Sequence, residues 1–302
     1  MEEIYEELRP LMFAIAYRML GSVTEAEDVV QEAFLRLQRS LREGTDVESP
    51  KAYLSQVTTR LGIDHLRSAR VRRETYVGQW LPEPLLTDPA PGPAEHAETA
   101  DSLSMAFLLL LESLSPVERA VFLLREVFEY DYDEIAAIVE KSEANCRQIL
   151  SRARKHIEAD KPRFEIGGER QTQLADSFLA AIQEGDLERL VAYLAEDAVF
   201  YGDGGGKGRG LPKPVFGARN IARLLVGFFE GYRSIGARMQ PAQINGQPGV
   251  LAFDSESRLI NVLAFDIVGD ALQNVRSVIN PEKLRHLGPV ADARRLLRES
   301  SP

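Results

Sequence analysis

Cysteine is almost absent from this chain: Cys146 is the single one in 302 residues. An internal disulfide is therefore excluded, and with it the small disulfide-stapled domain classes. Histidine is scarce as well. His65, His96, His156 and His286 are scattered with no paired spacing, so no metal site is expected. No apolar run approaches the ~18 residues that a membrane span requires; the stretch Met105–Leu111 is far too short. With no secretory signal expected at the N-terminus, the chain reads as cytoplasmic with no membrane partner. Positive charge is in deficit, the formal net charge being −10. Any nucleic-acid surface must then be local rather than global. The glycine run Asp203-Gly-Gly-Gly-Lys207 is no phosphate loop, because Lys207 is followed by Gly208 and Tyr201 stands where the first glycine belongs. Nor does it make a dinucleotide fingerprint, position 209 being Arg, and no cofactor is expected.

What the chain does contain is patterned helix. Residues 132–154 read as two short helices joined by a tight turn, with Asp131 and Ser142 as N-caps and Glu134 in capping-box spacing from Asp131. On the second helix Cys146, Ile149, Leu150, Ala153 and Ile157 share one arc, which makes Cys146 a small core residue. Ser142, Glu143, Asn145, Arg147, Gln148, Ser151, Arg152 and Lys155 are the polar candidates on and around the other arc. Such side chains suit base edges in a major groove; the plain alternative is a helical hairpin with a solvated face.

Two further helices precede it. In 22–38 the residues Ala26, Val30, Ala33, Phe34 and Leu37 form a core face, while Asp28, Gln31, Glu32 and Leu35 form the opposite one. An apolar Leu35 ringed by acids marks either a docking face or an ordinary solvated one. The helix from about Pro50 to Arg70 is basic: Lys51, Arg60, Arg67, Arg70, Arg72 and Arg73 are opposed only by Asp64. Arg60, Asp64 and Arg67 fall on one stripe, compatible with an ion-pair ladder. With Tyr53 and His65 nearby the same helix suits phosphate contact and stacking on a melted strand.

This order of segments resembles an extracytoplasmic-function sigma factor of bacterial RNA polymerase over residues 1 to about 160. The resemblance implies that Asp28, Gln31, Glu32 and Leu35 dock on the β′ clamp helices, with the β flap as a further polymerase contact. It implies that the basic helix (Lys51, Tyr53, Arg60, Asp64, Arg67, Arg70, Arg72, Arg73) melts and holds the −10 element, and that the helix-turn-helix reads −35 in promoter DNA. One departure stands out: the turn usually has Gly where this chain has Glu140, a residue that tolerates positive φ poorly.

Between these parts lies a proline-rich, acidic segment (Pro82, Pro84, Pro89, Pro91, Pro93) that cannot be helical. Trp80-Leu81-Pro82-Glu83 opens it, either as a packing anchor ending the first domain or as a functional motif. From Gly167 the pattern changes. A helix over Gln171–Glu184 stops at Gly185, Asp186 caps Leu187–Ala195, and a strand follows at Ala198–Gly202. Leu259–Val268, the turn Gly269-Asp270 and Ala271–Ile279 read as a hairpin of a curved antiparallel sheet. This part resembles the SnoaL-like domains of the NTF2-like superfamily, which a subgroup of these sigma factors carries fused at the C-terminus. The subgroup's motifs correspond to Trp80–Glu83, Asp203-Gly204-Gly205-Gly206-Lys207 and Asn280-Pro281-Glu282-Lys283-Leu284, with Glu282 in place of the usual Asp. The resemblance implies cis regulation through contact with the sigma-2 and sigma-4 domains, the fused domain taking over an anti-sigma role. Two other readings stay open: catalysis in the SnoaL-like fold, for which Asp203 and Asp266 are the candidates, and ligand sensing by an inert pocket. The expected architecture is a sigma-2 domain at 1–78, a linker at 79–100, a helix-turn-helix sigma-4 domain at 101–164, an α+β cone at 165–290 and a tail at 291–302. Both sigma domains are expected to be all-α.

Overall fold

The computed structural model describes residues 2–74, 76, 78–87, 102–160, 169–206, 211 and 213–292, without the side chains of 69–74 and 159–160. Its contacts divide the chain into two units that are not contiguous in sequence. Met1–Thr75 joins Phe107–Lys161, and Tyr76–Ala106 joins Pro162–Pro302.

The first unit is helical. Helix α1 (Glu2–Leu20) packs with α2 (Val23–Arg42) and α3 (Pro50–Glu74). Ser22 caps α2 by accepting the Glu25 amide at 3.1 Å. Ala26, Val30, Ala33, Phe34 and Leu37 are buried as the wheel requires, and Val29 joins them. Beyond α4 (Met105–Leu110), helix α5 (Pro116–Glu126) starts at a capping box formed by Ser115 and Glu118. Then come α6 (Tyr132–Val139) and α7 (Glu143–Asp160). Cys146, Ile149, Leu150, Ala153 and Ile157 all face inward, and burial pushes the Cys146 thiol above its usual range. Arg119 ties the parts together: buried, it donates to Met19 O of α1 at 2.7 Å and to Glu112 at 2.8 Å. Burial pulls its guanidinium down to about 9.

The second unit is α+β. Helices α8 (Glu169–Glu184), α9 (Leu187–Tyr193) and α10 (Ala218–Ser234) cover a six-stranded sheet in the order β2-β1-β6-β5-β4-β3. The strands are β1 (Leu194–Asp203), β2 (Val215–Phe216), β3 (Arg238–Ile244), β4 (Gln247–Phe253), β5 (Leu259–Val268) and β6 (Ala271–Val278). The hairpin stands as the alternation predicts, with Val268 opposite Ala271 and Gly269 at φ 58°. The sheet as a whole is mixed, not antiparallel: β1 runs parallel to β6. Alternation signals a half-buried strand but carries no information on a neighbour reached through a long crossover. Phe178 of α8 meets Phe265 of β5 edge-on at 5.4 Å, in a core shared with Phe200, Val250 and Val275.

Gly249 sits where strands press closest. A Cβ there would lie 2.3 Å from Leu263 O and 2.6 Å from Ile244 Cδ1. Gly249→Ala is therefore expected to destabilise this unit by about 1–3 kcal/mol through overpacking. Thermal unfolding compared with the parent chain checks this, and an unchanged midpoint would contradict it.

Candidate functional site

Three groups of residues carry the candidate chemistry. The first is on α2. Asp28, Gln31 and Leu35 are exposed, Leu35 at 40 %, and Glu32 is half-buried beside Arg36 at 2.7 Å. The Arg36 hydrogen bond holds the Glu32 carboxyl below its usual range. Gln31 and Leu35 line a groove of about 500 Å³ with Val30, Phe34, Gln38 and Tyr5. Asp28 and Glu32 lie outside that lining. Tyr5 packs on Phe34 with ring centroids 4.8 Å apart, so the groove extends onto α1. Sequence reasoning missed Tyr5 because it considered α2 alone.

The second group spans α3, α6 and α7. Asp64 pairs with Arg67 at 3.0 Å, but Arg60 does not complete the ladder. Arg60 donates instead to Ile138 O at 2.9 Å and Ala137 O at 3.0 Å, the C-terminal carbonyls of α6, and pairs with Glu140 at 3.1 Å. Ser55 and Tyr130 share a buried 2.6 Å hydrogen bond beside it, and Gln56 donates to Ala137 O. Lys51 stands 5.9 Å over the Tyr130 ring, and the Tyr53 hydroxyl bonds Ser40 at 2.9 Å. Arg70, Arg72 and Arg73 lie on α3, but their side chains fall outside the described residues. Glu140 adopts the left-handed conformation at φ 55°, ψ 49°, where glycine would be unstrained. On α7, Ser142 accepts the Asn145 amide at 3.3 Å, and Arg147 pairs with Glu143 at 3.0 Å. Gln148, Ser151, Arg152 and Lys155 are exposed. Arg152 reaches Glu118 only at 4.0 Å, and Arg154 is held by Glu126 at 2.8 Å.

The third group is built on Asp203, fully buried at the end of β1. One carboxylate oxygen accepts from the Tyr76 hydroxyl at 2.6 Å and from the Gly205 amide at 3.1 Å. The other accepts from the Leu81 amide at 2.9 Å and from Lys283 Nζ at 2.7 Å. Lys283 also donates to Leu81 O, and stands 4.4 Å over the Trp80 ring and 5.0 Å over that of Tyr76. Burial first, and then the Asp203 charge, push the Tyr76 phenol far above its usual range. Asn280 caps α11 (Pro281–Leu284) by accepting the Glu282 amide at 3.1 Å, and donates to the Tyr76 hydroxyl at 2.9 Å. The side chain of Asn280 packs against Gly205 so closely that a Cβ on Gly205 would fall 2.3 Å from its amide nitrogen. Gly204 and Gly206 complete the turn, with Gly206 at φ 70°. Leu284 is buried. Lys207 lies outside the described residues.

Residues 78–87 are thus seated on the second unit, and Trp80 does not serve as an anchor ending the first domain. Leu85 exchanges backbone and side-chain hydrogen bonds with Asn245, at 3.0 Å and 2.8 Å, and Thr87 donates to Gln243 O at 3.0 Å. His286 Nε2 meets Pro84 O at 2.7 Å, with Glu83 4.0 Å from Nδ1. Tyr76, Asn245 and His286 were not expected; their roles depend on tertiary proximity with no local pattern. Asp266 faces away from the Phe265 core. One of its oxygens is taken by Asn274 at 2.9 Å and Arg276 at 2.6 Å.

Two helical elements with a helix-turn-helix, followed by an α+β domain, define a transcription factor of the sigma type. Residues 4–72 match the model of Sigma-70 region 2, and 104–157 match that of Sigma-70, region 4. The chain is 38 % identical over 250 residues to the ECF RNA polymerase sigma factor SigJ of Mycobacterium tuberculosis, covering 81 % of this chain and 78 % of that one. It is 31 % identical over 278 residues to the probable ECF RNA polymerase sigma factor SigI of the same species, covering 91 % and 92 %. The crystal structure of M. tuberculosis SigJ matches with a TM-score of 0.74 at 31 % identity, over 94 % of this chain and 98 % of the other. The chain belongs to the extracytoplasmic-function sigma factors, which direct RNA polymerase to promoters, and it carries a C-terminal α+β domain behind the two sigma regions. It is an initiation factor, not an enzyme. Among the described residues no helix is long and apolar enough to cross a membrane.

Removing the Asp203 charge would leave the buried Lys283 ammonium without its carboxylate, a loss of about 3–5 kcal/mol. Asp203→Ala and Gly205→Ala are both expected to release the segment around Trp80, the chain's single tryptophan. Its emission should shift to the red and become accessible to acrylamide. Unaltered emission in both variants would show that the cluster does not hold this segment.

Proposed function

We propose that the SnoaL-like domain regulates promoter recognition in cis by holding the linker between the two sigma domains. The observation that carries this is the Asp203 cluster, in which a buried charge of the C-terminal domain takes two of its donors from Tyr76, just before the linker, and from Leu81 at its start. A folded domain tied to that linker acts at high effective concentration on both neighbours. Trp80, Leu81, Pro82, Glu83, Asp203–Lys207 and Asn280–Leu284 form the regulatory set, and contact with sigma-2 and sigma-4 is the intended result. In support, Arg60, a candidate for −10 contact, is engaged with the helix-turn-helix through Ala137 O, Ile138 O and Glu140.

The finer partner assignments follow the family. Asp28, Gln31, Glu32 and Leu35 face the β′ clamp helices, and sigma-4 the β flap. The basic face of α3 serves −10, and the exposed face of α7 serves −35. The domain limits set out from the sequence are kept for the functional parts, and the protein works in the cytoplasm with the polymerase.

Two experiments test this reading. Leu35→Arg, at the apolar centre of the α2 groove, should weaken core polymerase binding by ~2 kcal/mol or more. Full affinity in a titration with core enzyme would remove that face from the interface. In run-off transcription, a chain lacking Asn280 and everything after it should be more active than full length, and one lacking the whole domain after about residue 165 less active. Equal activity in all three would make the fused domain a passenger.

A further inference from the structure

We infer that Tyr132 is a positioning residue for Arg147, holding its guanidinium ready to read one base pair of the −35 element. This rests on the reading above that α7 enters the −35 major groove. The Arg147 guanidinium carbon stands 4.4 Å from the centroid of the Tyr132 ring. One turn back on the same helix, Glu143 takes Arg147 Nη2 at 3.0 Å. Two different contacts therefore restrain one long, half-exposed side chain, one through a face and one through an edge. The ring is itself held. Arg125 lies 5.1 Å from the same centroid and is anchored to Tyr130 O at 2.8 Å and Asp131 at 3.2 Å. Tyr132 is the first residue of α6, so the platform belongs to a rigid helix start fixed by the Glu134 hydrogen bond to the Asp131 amide at 2.9 Å.

A guanidinium lying over a ring keeps its N–H donors in its own plane, the geometry that bidentate contact with a guanine edge uses. A free arginine must lose its rotamer freedom when it reads a base; one already held loses less. Tyr132 and Arg147 line one open cleft of about 240 Å³ with Ser151, Arg154 and Lys155. Arg154 is turned to Glu126 in that cleft, whereas the Arg147 restraints come from the helix-turn-helix alone.

The test uses the full chain bound to core polymerase and a promoter library randomised across −35. Arg147→Ala should abolish preference at one base-pair position. Tyr132→Leu should weaken preference at that same position by about two- to five-fold, the range expected of an exposed cation–π contact, with the salt dependence of binding unaltered. Tyr132→Phe should restore it. In the double variant, Tyr132→Leu should add nothing to Arg147→Ala, and this cycle cancels any general loss of stability. If Tyr132→Leu weakens all sequences alike, or adds fully to Arg147→Ala, the positioning role is overturned while the −35 reading stands. If Arg147→Ala itself leaves every preference intact, the −35 assignment of Arg147 fails, and the inference falls with it.

Discussion

A charge taken out of water must be paired and hydrogen-bonded or it unfolds what surrounds it. Asp203 is such a charge, and its four donors come from three separate stretches of chain: Tyr76 and Leu81, Gly205, and Lys283. None of these stretches can move alone without leaving a buried carboxylate or ammonium short of a partner. The backbone oxygen of Asp203 adds to this by accepting the amides of Ile279 at 2.9 Å and Asn280 at 3.1 Å. Lys283 meets its second need through two aromatic faces, which accounts for a tryptophan and a tyrosine at 80 and 76. Linker geometry and the integrity of the C-terminal domain are therefore one property.

The linker's composition suits that attachment. Pro82 and Pro84 have no amide to satisfy and hold the chain extended. Several polar groups beside them find partners on the second unit. Leu81 bonds through both its amide and its carbonyl, Pro84 O meets His286, and the amides of Leu85 and Thr87 go to Asn245 and Gln243 O. A single bridge between Leu86 and Ile244 extends the free edge of β3. Polar capture of this kind is directional, so it fixes one register, whereas apolar packing alone would permit sliding.

Much of this was legible in the sequence where periodicity or capping carries it. The buried arcs of α2 and α7, the Asp131 and Ser142 caps, and the Leu259–Val278 hairpin follow from local rules. The stretch between Asp203 and Leu259, with α10, β3 and β4, was not read, because its strands lack clean alternation: β4 is buried on nearly every residue. The parallel pairing of β1 with β6 is likewise a long-range fact. The motif residues Trp80, Asp203 and Asn280 could be singled out, but their meeting could not, since Tyr76 and Lys283 gain their roles only across 127 and 80 positions of chain.

The first unit shows the same physics with the opposite balance. Two of the attachments between its N-terminal helices and the helix-turn-helix part differ in kind. Arg119 is buried, and its loss would leave Met19 O without the donor that reaches it from α5. Arg60 is 40 % exposed, and its ion pair with Glu140, itself 74 % exposed, is of the class that contributes about 0–1 kcal/mol. Glu140 in addition sits in the left-handed region, which costs a side chain about 1–2 kcal/mol. The ion pair is thus largely offset by the strain of the residue that makes it, and the hydrogen bonds of Arg60 to the α6 carbonyls carry that contact. The Arg60 attachment, between α3 and α6, is the weaker of the two. Losing the Arg60 contact therefore costs the unit less than losing the buried Arg119 anchor.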